Sequence, residues 1–258
     1  MPFHLILAIA LSSVIGLSLG LLGGGGSILA VPVLVYVAGV TPHAAVPMSL
    51  AIVGTTSLVA GLLHQGSGRV SLKAALLFGA AGMGGAWFGA KLTHLISGRV
   101  LLLLFALLML VVGSWMLAPF TQRLVAGSEQ SEGRKPHLVL TLVAGLGVGG
   151  LTGFLGVGGG FLVVPALVLF CRLPIEHAVG TSLYVIALNS AAGFIGHPGG
   201  SRLSLGLTIA FTAAALVGAV VGHRIATRMH PQRLRSAFAW FVILVGAGMV
   251  ARTLLSRG

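Results

Sequence analysis

The sequence predicts an all-α polytopic membrane protein of two homologous, inverted repeats, with Gly-broken, short or re-entrant helices at the centre. Three observations carry this: an apolar composition, two glycine clusters, and a duplication at one constant offset. Hydrophobic residues make up 57% of the 258 residues, another 40 residues are glycine, and only 7% are charged. A soluble domain is about 25% charged, so this chain has too little polar surface to face water. A membrane β-barrel would alternate apolar and polar positions over segments of about ten residues. Stretches such as Val100 to Val112 are instead continuously apolar. The glycines cluster without a period of three, which excludes collagen.

Apolar runs bounded by charges, Gly or Pro give ten segments in chain order. The first five cover 3–22, 26–39, 49–64, 70–92 and 99–118. The second five cover 138–155, 159–171, 182–197, 203–225 and 233–255. Runs of about 20 residues reach across a ~30 Å hydrocarbon core at 1.5 Å per residue. The second and third runs of each five are too short to span comfortably as straight helices. Residues 3–22 are expected to stay in the fold, because no Lys or Arg precedes this long run and its counterpart at 138–155 is internal. The polar stretch from Thr121 to His137 holds two of the three acids, Glu129 and Glu132. The chain thus divides into a first repeat (1–118), a cytoplasmic linker (119–137) and a second repeat (138–258).

Subtracting 133 from second-half numbers superimposes the halves without a gap. Gly156 falls on Gly23, Pro165 on Pro32, Ser182 on Ser49, His197 on His64 and Arg202 on Arg69, while Gly218 and Gly222 fall on Gly85 and Gly89. Fifteen basic residues stand against three acidic ones, a formal charge of +12. They sit in the gaps between apolar runs, where anionic lipid and topology account for them, so nucleic acid is excluded as a partner. With five crossings per half and the N-terminus outside, ten basic residues face the cytoplasm and five face out. Four crossings per half would give eight against seven. The positive-inside rule therefore prefers inverted repeats.

Two clusters carry the chemistry: Gly23-Gly24-Gly25-Gly26-Ser27 and Gly156-Val157-Gly158-Gly159-Gly160. A helix does not easily run through such glycines, and broken backbone at membrane depth is tolerated only where protein or a wet cavity receives it. A helix restarting after the break would offer free N–H groups and the positive end of its dipole to an anion. Matched Gly-interrupted short segments in two repeats point to a transporter's substrate site. Gly85/Gly89 and Gly218/Gly222, four apart in long spans, read instead as close-packing positions. Neither cluster ends in the Gly-Lys-Ser/Thr of a phosphate loop, and no βαβ unit surrounds a dinucleotide fingerprint.

The motifs GLLGGGGSILAVPVLV (20–35) and GFLGVGGGFLVVPALV (153–168), each followed by Ala-Val-x-x-Ser-Leu, resemble the TauE/SafE sulfite exporter family, also called the toluene-sulfonate uptake permease family. The likeness covers nearly the whole chain, although four consecutive glycines in the first cluster depart from the commoner interrupted pattern. The resemblance implies a multi-pass carrier of the cell inner membrane that moves small sulfur-containing anions such as sulfite or sulfonates.

The polar residues at membrane depth fit an anion carrier independently of that likeness. Half one has Ser27, Ser49, Thr55, Thr56, Ser57 and His64, and half two has Thr181, Ser182, Asn189, Ser190 and His197. All are neutral, and no Asp or Glu lies inside a span. The expected substrate-binding set is Gly23, Gly24, Gly25, Gly26, Ser27, Ser49, Gly156, Gly158, Gly159, Gly160, Ser182 and Asn189. His64 and His197, each five residues before an Arg, are the candidate gates. Cys171 reads as a packing residue, and the sequence shows neither a metal cluster nor a Ser/His nucleophile motif. No catalytic residue, metal or cofactor is expected. The expected partners are a small anionic substrate and membrane lipids, with room for a homo-oligomer. An anion channel on the same scaffold is the alternative.

Overall fold

The computed structural model describes residues 3–66, 68, 70–118, 138–155, 160–197, 204–226, 239–240, 243–251 and 253. The 119–137 linker, Gly156, Gly158, Gly159, Arg69 and Arg202 lie outside the described residues. Among the described residues all regular structure is helical and no strand occurs.

Helix α1 covers Phe3–Leu22. At Gly23 the backbone turns to φ +67°, a left-handed conformation that residues bearing a Cβ rarely adopt. The chain continues as a 3₁₀ helix over Gly23–Leu29, a single α turn over Ala30–Pro32 and a π turn over Val33–Val37. The wide π winding follows Pro32, whose ring crowds the carbonyl four residues earlier. This first broken segment changes pitch rather than unwinding.

Helix α2 (Pro42–Gln65) begins with Pro at its first position, where a backbone N–H would have no intrahelical partner in any case. Helix α3 (Leu72–Leu92) is capped by the Ser71 hydroxyl, which accepts from the Ala74 amide, and a 3₁₀ turn (Thr93–Leu95) follows it. Helices α4 (Gly98–Leu117), α5 (Leu138–Leu155) and α6 (Gly160–Phe170) come next. They are followed by α7 (Ile175–Gly196), α8 (Leu205–Ala226) and a last helix, α9, at 243–251.

The third segment of each half is not short: α2 runs for 24 residues and α7 for 22. The apolar runs alone begin at Ser49 and Ser182, but helical winding extends back through the turns before them, to Pro42 and Ile175. Proline is tolerated near a helix start, and polar ends suit a headgroup region. The segments next to the glycine clusters are short: the irregular stretch Gly23–Val37 and the 11-residue helix Gly160–Phe170.

Among the described residues, five helices are long and apolar enough to cross a membrane: Pro42–Gln65, Gly98–Trp115, Leu138–Leu155, His177–Gly196 and Leu205–Ile225. Their outward faces carry exposed Val139, Ile195, Val217 and Leu205, which water would penalise and lipid accepts. The main buried cluster joins Ile15, Ile28, Leu50, Phe105, Val163 and Val185, from α1, the broken segment, α2, α4, α6 and α7. The chain is a multi-pass helical membrane protein.

The closest helix pairs are α3 with α5 and α1 with α8, and small residues make both contacts. A Cβ on Gly85 would lie 2.7 Å from the Gly150 amide nitrogen, and one on Gly218 would lie 2.8 Å from that of Leu17. Gly149 and Gly153 face Gly82 and Ala86, and Gly16 and Gly20 face Ala215 and Ala219. Contacts advance together along both chains, so each pair runs parallel. By contrast, α2 and α7 cross antiparallel, with Gly54 against Ser190, Gly61 against Tyr184, and Leu50 against Gly193. Backbones approach this closely only where side chains are absent or minimal.

Candidate functional site

Two short segments meet where α2 and α7 cross. Gly24 of the first broken segment lies backbone to backbone against Gly160, the first described residue of α6. Gly23 packs on α7: a Cβ there would meet the Val179 carbonyl at 2.8 Å and the Ser182 hydroxyl at 3.0 Å. Gly26 backs onto α1 at Ile15, Ser18 and Leu19. The 3₁₀ turn that carries Gly23, Gly24 and Ser27 is therefore brought together with Gly160 of α6 and Ser182 of α7. Of the expected set, Gly156, Gly158 and Gly159 fall outside the described residues.

The hydroxyls expected to hold an anion are engaged by their own backbone. Ser27 Oγ donates to the Gly24 carbonyl at 2.8 Å, and Ser49 Oγ to Val46 at 2.7 Å. Ser182 Oγ donates to Val179 at 2.7 Å, while Thr55 and Thr56 bond the carbonyls four residues back. A hydroxyl whose proton is committed in this way presents lone pairs, which do not attract an anion. In the same way, 3₁₀ winding over Gly23–Leu29 uses amides that a clean break would leave free.

Other buried polar atoms are unsatisfied. Both ends of the Asn189 amide, Ser57 Oγ and Ser190 Oγ have no hydrogen-bond partner, and all three residues are at most 1% exposed. Asn189 belongs to the expected set; Ser57 and Ser190 stand among the polar residues expected at membrane depth but outside that set. A signal for them existed, since they occupy equivalent positions 133 apart and are the same residue.

His64 and His197 close α2 and α7, at opposite ends of the antiparallel crossing. Each is buried, and each donates from Nδ1 to the carbonyl four residues earlier, Ala60 or Gly193, at 2.9 Å. His64 also packs edge-on against His223 of α8, with ring centroids 4.4 Å apart. Cys171 is buried against Thr141 as a packing residue. A cleft of about 320 Å³ between α1, the broken segment and α9 is lined by Leu11, Val14, Pro32, Tyr36 and Met249, among others. It bears no charged group and lies apart from the polar residues.

Apolar spans packed around short segments, with polar groups held where α2 and α7 cross, are the arrangement of a membrane transporter. The comparisons agree: a family model described as "Sulfite exporter TauE/SafE" matches residues 8–249, and the chain belongs to that family. It is 34% identical over 252 residues to a "Probable membrane transporter protein" of Xylella fastidiosa (strain 9a5c), covering 96% of each chain. It is 28% identical over 234 residues to "Probable membrane transporter protein YdhB" of Bacillus subtilis, covering 90% of this chain and 94% of that one. A further "Probable membrane transporter protein", from Methanocaldococcus jannaschii, is 22% identical over 269 residues, covering 97% and 98%. No solved structure matches the chain.

Proposed function

We propose that the chain is a secondary carrier of small sulfur-containing oxyanions, such as sulfite or a sulfonate, in the cell inner membrane. It alternates access between two inverted repeats, residues 1–118 and 138–258, joined by a cytoplasmic linker. The observation that carries this reading is the contact of Gly24 with Gly160, one Gly-broken segment from each half, beside the α2–α7 crossing. The pairing of helices supports the repeat. Gly85 on Leu146 and Gly150 repeats, at an offset of 133, as Gly218 on Ser13 and Leu17. Gly149 on Gly82 likewise repeats as Gly16 on Ala215. Equivalent helices α2 and α7 cross antiparallel, and a two-fold axis relating antiparallel spans lies in the membrane plane. That favours inversion.

Sulfur oxyanions are proposed because the family's description names sulfite and because the polar groups at depth are neutral. The full burial of Asn189, Ser57 and Ser190 favours an occluding carrier over a channel. Purified protein in liposomes should show saturable sulfite uptake, inhibited by sulfonates and unaffected by excess Na⁺ or glycine. Linear, unsaturated flux would favour the channel, and flux of cations or neutral solutes alone would refute the anion reading.

A further inference from the structure

Asn189 stands out among the buried polar groups. Its side chain is fully buried and neither Oδ1 nor Nδ2 has a partner. Folded chains seldom keep such a group without a use, because desolvated donors and acceptors are unfavourable when left unmade. The surroundings are shaped for it. A Cβ on Gly82 of α3 would lie 2.7 Å from Nδ2 and 2.9 Å from Cγ. Gly82 faces Gly149 of α5, and Gly193, one turn along α7, would place a Cβ 3.4 Å from Gly153. Three helices thus meet around the amide with glycine between them. On the same turn Ser190 packs on Gly54 of α2, and Ser57 lies one turn beyond Gly54 on that helix.

The equivalent place in the first half is closed. Thr56 stands at the position 133 before Asn189, and its hydroxyl bonds the Ile52 carbonyl at 2.7 Å. Ala215 stands where the second half's site has Gly82. The open amide belongs to one half only.

We propose that Asn189 recognises the substrate, with Ser190 and Ser57 as further contacts, and that the site prefers singly charged oxyanions to dianions, a protonated one such as hydrogen sulfite best. This assignment rests on the carrier reading above. An amide and two hydroxyls offer both donors and acceptors, so a fully deprotonated dianion leaves Oδ1 unpaired while a protonated monoanion such as hydrogen sulfite pairs both ends. The residues around Asn189 carry no countercharge, and a second negative charge in a site of low dielectric is far less favourable than the first.

The test uses the full chain in liposomes, with sulfite as the transported probe and sulfate as competitor. Asn189→Leu should raise the KM for sulfite at least about tenfold or abolish uptake. The ligand-free variant should melt no lower than the wild type, because an unpaired amide has been removed. Sulfate should compete at least about tenfold more weakly than sulfite. Should Asn189→Leu fail to fold, Gly82→Ala decides, since its methyl crowds the amide and should raise KM without changing its chemistry. A folded variant of either kind with wild-type KM, or sulfate competing as well as sulfite, would overturn the assignment. Wild-type vesicles that move no oxyanion would instead overturn the carrier reading on which it rests.

Discussion

At the scale of single residues, the arrangement separates hydroxyls that are spoken for from polar groups that are not. Ser49 and Ser182 look equivalent in sequence and behave equivalently, each donating to the carbonyl three residues back. Removing such a bond at a position where the helix can rewet or repack its carbonyl costs about 1 kcal/mol. Ser49→Ala and Ser182→Ala should therefore each lower thermal stability slightly and change the KM for sulfite by no more than about threefold. A tenfold rise in KM for either variant would show that its hydroxyl turns away from the helix to meet substrate. Gly23 is different. Its φ of +67° and its contact with the Val179 carbonyl leave no room for a side chain. Gly23→Ala should destabilise by about 1–2 kcal/mol from backbone strain alone. It should also reduce transport more than Gly39→Ala, a second positive-φ position that has open space around it. Equal loss at both sites, measured as uptake per inserted protein, would reduce the role of Gly23 to local strain.

At the scale of elements, the glycines sort by what they face. Gly85 and Gly218 hold backbone against backbone, so Leu at either position must push two helices apart. Overpacking of this kind typically costs about 1–3 kcal/mol. Gly84 and Gly206 have nothing within 4 Å, and Ala there should stabilise by about 0.5–1 kcal/mol through helix propensity. Thermal melts in detergent check both, and destabilisation by Gly84→Ala would place an unseen neighbour on that face of α3. The helices themselves were legible from composition, because continuous apolar runs leave little else for a chain to form in lipid. The glycine break was legible as a position, since the backbone does change hand at Gly23. Its form was not. A run of glycines carries no side-chain pattern to distinguish an open break from 3₁₀ winding, and Pro32 does not announce the π turn after it. The starts of α2 and α7 were misread because the apolar runs begin only at Ser49 and Ser182, whereas the helices begin at Pro42 and Ile175. For the site, Asn189 was legible as a polar residue at depth. Which hydroxyls were already bonded depended on rotamers that spacing does not determine. Ser57 and Ser190 therefore escaped selection despite being equivalent positions.

At the scale of the whole molecule, topology bears on mechanism. Under the proposed inverted arrangement, the positive-inside rule would put the 119–137 linker in the cytoplasm. A cysteine at Ser128 on a Cys171→Ala background should react with impermeant maleimide only after cells are opened, and labelling of intact cells would reverse the orientation. Two inverted repeats around one crossing can expose the same site first to one side and then to the other. Asn189 lies within α7 (Ile175–Gly196), and His64 and His197 close α2 and α7 at opposite ends of their crossing, so the proposed site would have an end on each side to open. The most direct measurement of this claim is counterflow in liposomes loaded with unlabelled sulfite and diluted into trace labelled sulfite. A carrier that returns loaded should accumulate label transiently above its equilibrium level, and preloading should accelerate uptake. Uptake that rises only to equilibrium, indifferent to internal sulfite, would contradict alternating access and leave a pore in its place.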